Sequence, residues 1–244
     1  MIYVCIPSRD EAPTIGLVLW KVRQVFGDFG REYQLLVADD ASTDDSAERL
    51  AAYAKVLPLT VIRHDRPRGY AASAEALLRL ALERTDRPRR DTAVLMHADF
   101  SHGPGHLPDL LRRLDSGADL VVGEARVEGR ASTGYRLIRR WAPALLRGSV
   151  RVPGVRDTVS GFLAVRLSCL RLAMKARTPL ATLEGWAANA ELLARLAPHA
   201  RRVDSVAVVE RHDLRQRPSR VSAWSEARAL WNARRVVRLA GAVR

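Results

Sequence analysis

The sequence predicts an α/β fold with a mainly parallel central sheet flanked by helices, and three observations carry that prediction. Apolar runs of strand length alternate with helical patterns at a steady rhythm over residues 2–123, which is the rhythm of a parallel sheet covered on both faces. Two of the runs end directly in acidic turns, Asp39-Asp40 and His97-Ala98-Asp99. Open α/β sheets collect ligands outside the carboxyl ends of their strands, so two such ends point to one shared crevice. An apolar fraction of 48% over 244 residues is enough for one large core.

In chain order, residues 2–6 form a short β-branched run closed by Pro7, and Pro13 stands where the first turn of a helix accepts it. That helix runs to about Phe26, with Ile15, Val18, Val22 and Phe26 on its buried side. Between them the charged loop Ser8-Arg9-Asp10-Glu11 falls on the same sheet edge as the acidic turns. Residues 33–38 make a second strand, and residues 46–55 a helix for which Ser42 or Thr43 is the expected N-cap. A third strand over 59–63 leads through Arg66-Pro67-Arg68-Gly69-Tyr70 into a helix ending near Arg84. Gly69 there is either an anion cradle offering free N–H groups or a plain turn.

A fourth strand, 92–96, runs into the Asp99 turn, where the Asp99 carboxylate is a candidate for a metal or phosphate site or, alternatively, a helix cap. A helix over about 105–114 and a strand over 118–122 follow. After Gly123 a segment rich in arginine, including Arg126, Arg136, Arg139 and Arg140 with Leu137 and Trp141, reads as a basic amphipathic helix. Residues 157–165 are expected to be a strand, 183–196 a helix and 203–209 a last strand before a charged loop. The tail, 222–244, sets Trp224 and Trp231 two turns apart among Arg228, Arg234, Arg235 and Arg238. It is read either as a helix on an anionic membrane surface or as a terminal helix packed on its own domain.

The net charge of +13 rests almost wholly on arginine, the lysines being Lys21, Lys55 and Lys175. Such an excess attracts polyanions. Nucleic acid is not expected, because basic runs interleaved with aromatics and known reader motifs are both missing from the sequence. With no run of eighteen apolar residues and no charged-then-apolar leader, a cytosolic location is expected. Cys5 and Cys169 read as reduced structural thiols.

Taken together, the motifs resemble the inverting glycosyltransferases of family two with the GT-A fold, a nucleotide-diphospho-sugar transferase fold. They resemble most closely the dolichol- or polyprenyl-phosphate mannosyl and glucosyl synthases. Residues 4–11, VCIPSRDE, are similar to the strand-one "IPAYNE" segment of that family, and residues 37–44, VADDASTD, to its "VDDGSTD". Arg68-Gly69-Tyr70-Ala71 falls at its glycine-rich "GKGAA" turn, and residues 96–108, MHADFSHGPGHLP, align without a gap to "MDADLQHDPEDIP". Gly117 to Gly123 matches "GADVVIG", Asp157 to Phe162 resembles "DVTSGF", and Glu184-Gly185-Trp186 with Glu191-Leu192-Leu193 resembles "KGYAFQIELL".

The resemblance implies a metal-dependent inverting hexosyltransferase with a single GT-A domain over 1–220. Residues 1–123 would bind the nucleotide sugar and 124–220 the acceptor, with 221–244 a basic amphipathic C-terminal helix. It implies that Pro7, Arg9, Glu11, Asp39, Asp40, Arg68, Gly69, His97, Ala98 and Asp99 hold a GDP- or UDP-hexose. Asp99, as the catalytic carboxylate, would bind Mg²⁺ or Mn²⁺ with His97 and Ser101. The chain departs from the family pattern at two of these positions: His97 stands at the first Asp of "DAD", and Ser101 at a Gln. An imidazole in the set shifts the preference toward Mn²⁺.

For the acceptor, the resemblance implies that Arg126, Arg136, Arg140, Ser219 and Arg220 hold a polyprenyl phosphate at the cytoplasmic face of a membrane. An anionic phosphate needs arginines and no general base. Leu163, where an Arg commonly follows "SGF", and Arg217-Pro218 in the closing motif keep a second reading open. In that reading the acceptor is a soluble hydroxyl, with Glu184, His102 or His106 as base. A third reading, motivated by His97, is a nucleotide-binding homologue without turnover.

Overall fold

A computed structural model describes residues 1–129, 131–146, 148–176, 178–211 and 223–242. The elements are β1 (Ile2–Ser8), α1 (Ala12–Phe29), β2 (Tyr33–Asp39), α2 (Ser46–Ala54), β3 (Leu59–Arg63), α3 (Tyr70–Arg84), β4 (Thr92–Leu95), a 3₁₀ turn (Pro104–His106) and α4 (Leu107–Asp115). Then come β5 (Leu120–Glu128), α5 (Thr133–Leu145), β6 (Leu163–Arg166), α6 (Leu167–Met174), α7 (Gly185–Leu196), a 3₁₀ turn (Ala197–His199), β7 (Val203–Arg211) and α8 (Ala223–Ala242). Seven strands form one sheet in the order β3-β2-β1-β4-β6-β5-β7. β6 runs antiparallel to both of its neighbours, and every other pairing is parallel. The predicted α/β class with a mainly parallel sheet is thus observed.

Strand periodicity divides the core between the two faces of the sheet. Tyr3, Cys5, Leu36 and Ala38 join α3, α6 and α7 on one side. Ile2, Val4, Ile6, Leu35 and Val37 join α1 and α4 on the other. Side chains that alternate across a strand make each face apolar only when both are covered. Cys5 and Cys169 are buried free thiols. Burial, with the Asp119 carboxylate nearby, pushes the Cys169 thiol up to about 12, which leaves it inert at neutral pH.

Several expected elements are corrected. Pro7 does not close β1: the strand continues through it to Ser8. Cys5 C=O accepts from Met96 N–H on the β4 side, and Pro7 points the same way. β4 has already ended there, its pairing with β1 stopping at Cys5 and Leu95, so the missing proline N–H costs no ladder bond. Neither Ser42 nor Thr43 caps α2. Ser42 Oγ accepts from Asp10 N–H, and Thr43 donates to Asp10 Oδ1; the first turn of α2 is met instead by Asp44 Oδ1, which accepts from Ser46 N–H.

The strand expected over 157–165 begins only at Leu163. Its first half bonds locally, with Val159 N–H on Asp157 Oδ1 and Phe162 N–H on Ser160 Oγ. Short polar side chains that capture nearby amides make turns out of apparent strands. α6 was not expected at all; β5 starts at Leu120 and runs on to Glu128, beyond the predicted 118–122, and β7 continues two residues past the predicted 203–209, to Arg211.

Candidate active site

The order β2-β1-β4 sets three loop-bearing strand ends side by side. Ser8 pairs with Asp39, and Cys5 with Leu95, so the Glu11, Asp39-Asp40 and Asp99 turns leave the sheet at one rim. Each turn also carries a non-glycine residue of positive φ: Asp10 at 49°, Ala41 at 54° and Phe100 at 63°. Left-handed backbone at such residues costs on the order of 1 kcal/mol or more and tends to gather at ligand sites. The three acidic turns expected to share an edge of the sheet therefore do share one.

Asp39 is fully buried. Its Oδ1 accepts from Ser42 N–H at 3.1 Å, while among the described residues Oδ2 has no hydrogen-bond partner and lies 3.7 Å from the Arg63 guanidinium. Ser8 Oγ, one strand away, is also buried without a partner among the described residues. Buried polar atoms are nearly always paired, so two orphans on adjacent strand ends set this rim apart from the rest of the sheet. Ser8 was missed by the sequence reading, because nothing local to it signals burial. Glu11, also buried, accepts from Thr14 Oγ1 at 3.1 Å and gives its own N–H to Ser46 Oγ. Arg9 is exposed beside Asp10.

Asp40 has a different task. Its carboxylate accepts from His64 Nδ1 at 2.9 Å, Arg68 N–H at 2.7 Å and Gly69 N–H at 2.9 Å. Burial works to raise this carboxyl, but the three hydrogen bonds outweigh it and hold the group below the usual carboxylate range. Tyr70 N–H goes to Glu184 Oε2 at 2.8 Å. Of the two readings left open for Gly69, the amides are not free: the positive end of α3 meets two carboxylates of the chain itself. Gly69, at φ 90°, must be glycine also because a Cβ would overlap Glu184. Burial raises the Glu184 carboxyl, against hydrogen bonds from Tyr70 and Ala71 that lower it.

At the end of β4, Asp99 is buried, and its Oδ1 accepts from Ser101 N–H at 3.0 Å. His97 lies in a column of rings, stacked on Tyr70 at 5.4 Å and on His102 at 5.5 Å, with Phe162 beyond His102 at 5.3 Å. Gly161 has no Cβ because His97 Nε2 occupies that space. Burial, with His97 beside it, lowers His102 to about 4, so it is neutral at pH 7. Among the described residues no three His, Cys, Asp or Glu side chains come together as metal ligands. That donor set does not suit an all-protein cage. One buried carboxylate at the rim does suit a hard cation taken together with phosphate oxygens and water, the usual manner of Mg²⁺.

In α5, the helix that carries Arg136 and Arg140, the buried arginine is Arg139. Arg139 forks onto Asp157 with bonds of 2.7 and 2.6 Å and reaches Glu210 with Nε at 3.1 Å. Burial acts to lower the guanidinium and the two carboxylates to raise it; the carboxylates win. Arg136 bonds the carbonyls of Gly129 and Ala131, and Arg126 and Arg140 are exposed. His106 Nε2 accepts from Val209 N–H. Ser219, Arg220, Arg217-Pro218 and the side chain of Trp224 lie outside the described residues. A cavity of about 880 Å³, rimmed by Arg151, Arg201, Arg202 and Arg238, opens near Val203 at the amino end of β7. It is on the opposite rim from the Asp99 turn, and none of its described lining residues is a carboxylate.

Fold and rim together define a nucleotide-sugar transferase architecture, and the chain belongs to glycosyl transferase family 2, whose model matches residues 3–171. Over 168 residues it is 27% identical to the dolichol-phosphate mannosyltransferase of Pyrococcus furiosus, covering 67% of this chain and 45% of that one. Over 170 residues it is 32% identical to the undecaprenyl-phosphate mannosyltransferase of Micrococcus luteus, covering 68% and 66%. The chain thus spans about half to two thirds of the length of these relatives. Among solved structures, glucosyl-3-phosphoglycerate synthase of Mycobacterium tuberculosis, in complex with Mn²⁺, UDP and glucosyl-3-phosphoglycerate, superposes with a TM-score of 0.64 at 22% identity over 99% of this chain and 79% of that one. TarS 1-349 of S. aureus with UDP-GlcNAc gives 0.67 at 15% identity over 98% and 66%. The fold expected from the motifs is borne out.

Proposed function

We propose that this chain transfers a hexose of mannose or glucose type from GDP- or UDP-sugar to a polyprenyl phosphate, inverting the anomeric centre. The observation that carries the reading is the pair of buried, unpartnered oxygens, Ser8 Oγ and Asp39 Oδ2, at the rim where the Asp99 turn also ends. Asp39 and Ser8, with Pro7, Arg9 and Glu11 around them, hold the base and ribose. Asp40 acts on the donor indirectly, by fixing the Arg68-Gly69 turn through its three hydrogen bonds. Asp99, with His97, Ala98 and Ser101 in the same turn, faces the diphosphate. Asp99 would hold the Mg²⁺ or Mn²⁺ ion, whose chemistry when bound would be to offset the negative charge of the leaving nucleoside diphosphate.

A phosphate acceptor suits the rest of the site better than a hydroxyl. Two of the bases named for the hydroxyl reading are already engaged, Glu184 by the first amide of α3 and His106 Nε2 by a β7 amide, and the third, His102, is buried. Arg126 and Arg140 are exposed on the acceptor half, residues 124–220, and orient an anion without removing a proton. No helix among the described residues is long and apolar enough to cross a membrane. α5 exposes Leu137 and Trp141 at 57% and 56%, and α8 exposes Trp231 at 59% beneath Arg234. Basic helices with exposed tryptophan bind the anionic interface of a bilayer, which would bring a lipid acceptor to the cytoplasmic rim.

The test is incubation with GDP-mannose or UDP-glucose, polyprenyl phosphate and Mn²⁺. Labelled lipid should form with wild type, and its yield should fall at least about 100-fold in Asp99→Asn. No product with any donor, or product unaffected by Asp99→Asn, refutes the reading.

A further inference from the structure

The buried cluster around Arg139 joins the two halves of the site. Arg139 ties α5 to Asp157 and to Glu210, and Tyr135 of the same helix donates to Glu210 Oε1. Trp186 closes the cluster, its ring 5.4 Å from the guanidinium and edge-on to Tyr135. Glu210 sits near the end of β7, where its backbone pairs with His102 and the next amide, Arg211 N–H, donates to Ser101 C=O at 2.9 Å. Ser101 N–H in turn donates to Asp99 Oδ1. A continuous set of bonds therefore runs from the Asp99 carboxylate through the end of β7 to the helix that carries Arg136 and Arg140.

We propose that Arg139 is a positioning residue that sets the acceptor helix α5 against the Asp99 turn. Its own donors face carboxylates, so it does not itself receive the acceptor phosphate. Burying one guanidinium among two carboxylates gains little stability over an apolar cluster, which makes geometry the better reason for it. The planar fork matters. It meets Asp157 with two parallel bonds while Nε turns to Glu210, an arrangement that an ammonium on a flexible stem cannot reproduce. In-line transfer needs the acceptor oxygen aligned with the donor carbon, and a displacement of about 1 Å costs on the order of 100-fold.

The inference rests on the transfer reading above, so the test includes a measurement that needs no acceptor. Arg139→Lys keeps the charge and loses the fork. Amide hydrogen exchange at Ser101 and Arg211 should rise about tenfold or more, while calorimetric affinity for UDP or GDP stays within about threefold of wild type. In the transfer assay, kcat should fall about 100-fold and the KM for polyprenyl phosphate should rise. Tyr135→Phe, which removes one bond to Glu210 without touching charge, should shift exchange in the same direction by less and serves if Arg139→Lys does not fold. Unchanged exchange at Ser101 and Arg211 in the folded variants overturns the proposal. So does a parallel loss of nucleotide affinity and transfer, the mark of a purely structural role. If wild type transfers nothing to polyprenyl phosphate, the transfer reading falls, and the exchange data still decide whether Arg139 couples α5 to the Asp99 turn.

Discussion

Ser8 and Asp39 are paired across β1 and β2, and each keeps one buried side-chain oxygen with no hydrogen-bond partner among the described residues. An unmade hydrogen bond at a buried group costs about 1–3 kcal/mol. Two such costs on adjacent strand ends are tolerated most simply if a ligand offsets them.

Asp39→Asn keeps the Oδ1 that accepts from Ser42 and removes the charge that faces the ligand. Nucleotide affinity should fall about 10- to 100-fold, the worth of a charged hydrogen bond, and the melting temperature should hold or rise. Calorimetry with UDP and GDP, with and without Mn²⁺, reads the first, and a melt reads the second. Undiminished binding would remove Asp39 from the site.

Asp40 makes a pH prediction. Its folded carboxyl lies below the ordinary value of 3.8. The stabilisation is then fully present above that value and is lost as pH falls through the lowered folded value. Asp40→Asn should destabilise the protein by about 1–3 kcal/mol at pH 7, and the gap from wild type should close below about pH 4. Denaturant melts across pH check this; a gap that does not change with pH would show that the carboxylate's charge contributes nothing.

His102 works in the same sense at higher pH. Lowered from 6.5 to about 4, it binds fewer protons folded than unfolded. Stability is therefore complete above pH 6.5 and declines as pH falls from there toward 4. In His102→Phe, which keeps a ring between His97 and Phe162, that decline should be shallower. Parallel melting curves for the two proteins between pH 7 and 4 would assign the acid sensitivity elsewhere.

Membrane contact through α5 and α8 predicts that Trp141→Ser and Trp231→Ser each weaken binding to anionic vesicles about tenfold, since a buried tryptophan contributes about 1.5–3 kcal/mol. Sedimentation with anionic and zwitterionic vesicles is the measurement. Equal binding of wild type and both variants would eliminate this face as the docking surface.

The sequence by itself determined the α/β class, the two acidic strand ends and the family, because each is written in neighbouring residues. An apolar run stops and a carboxylate follows, and local spacing carries that signal. Only the tertiary structure decided which polar groups act and which are engaged. Asp40 and Gly69 looked alike as ligand groups, yet they bond each other across 29 positions of sequence. Ser8 became an orphan only when it was buried beside Asp39 at the end of β1. Among the arginines of α5, periodicity marked a basic helix but could not say that Arg139 faces inward, because its partners Asp157 and Glu210 stand 18 and 71 residues away. A side chain's chemistry depends on burial and on the charges brought beside it, and both are properties of contacts between distant segments rather than of the segment that carries it.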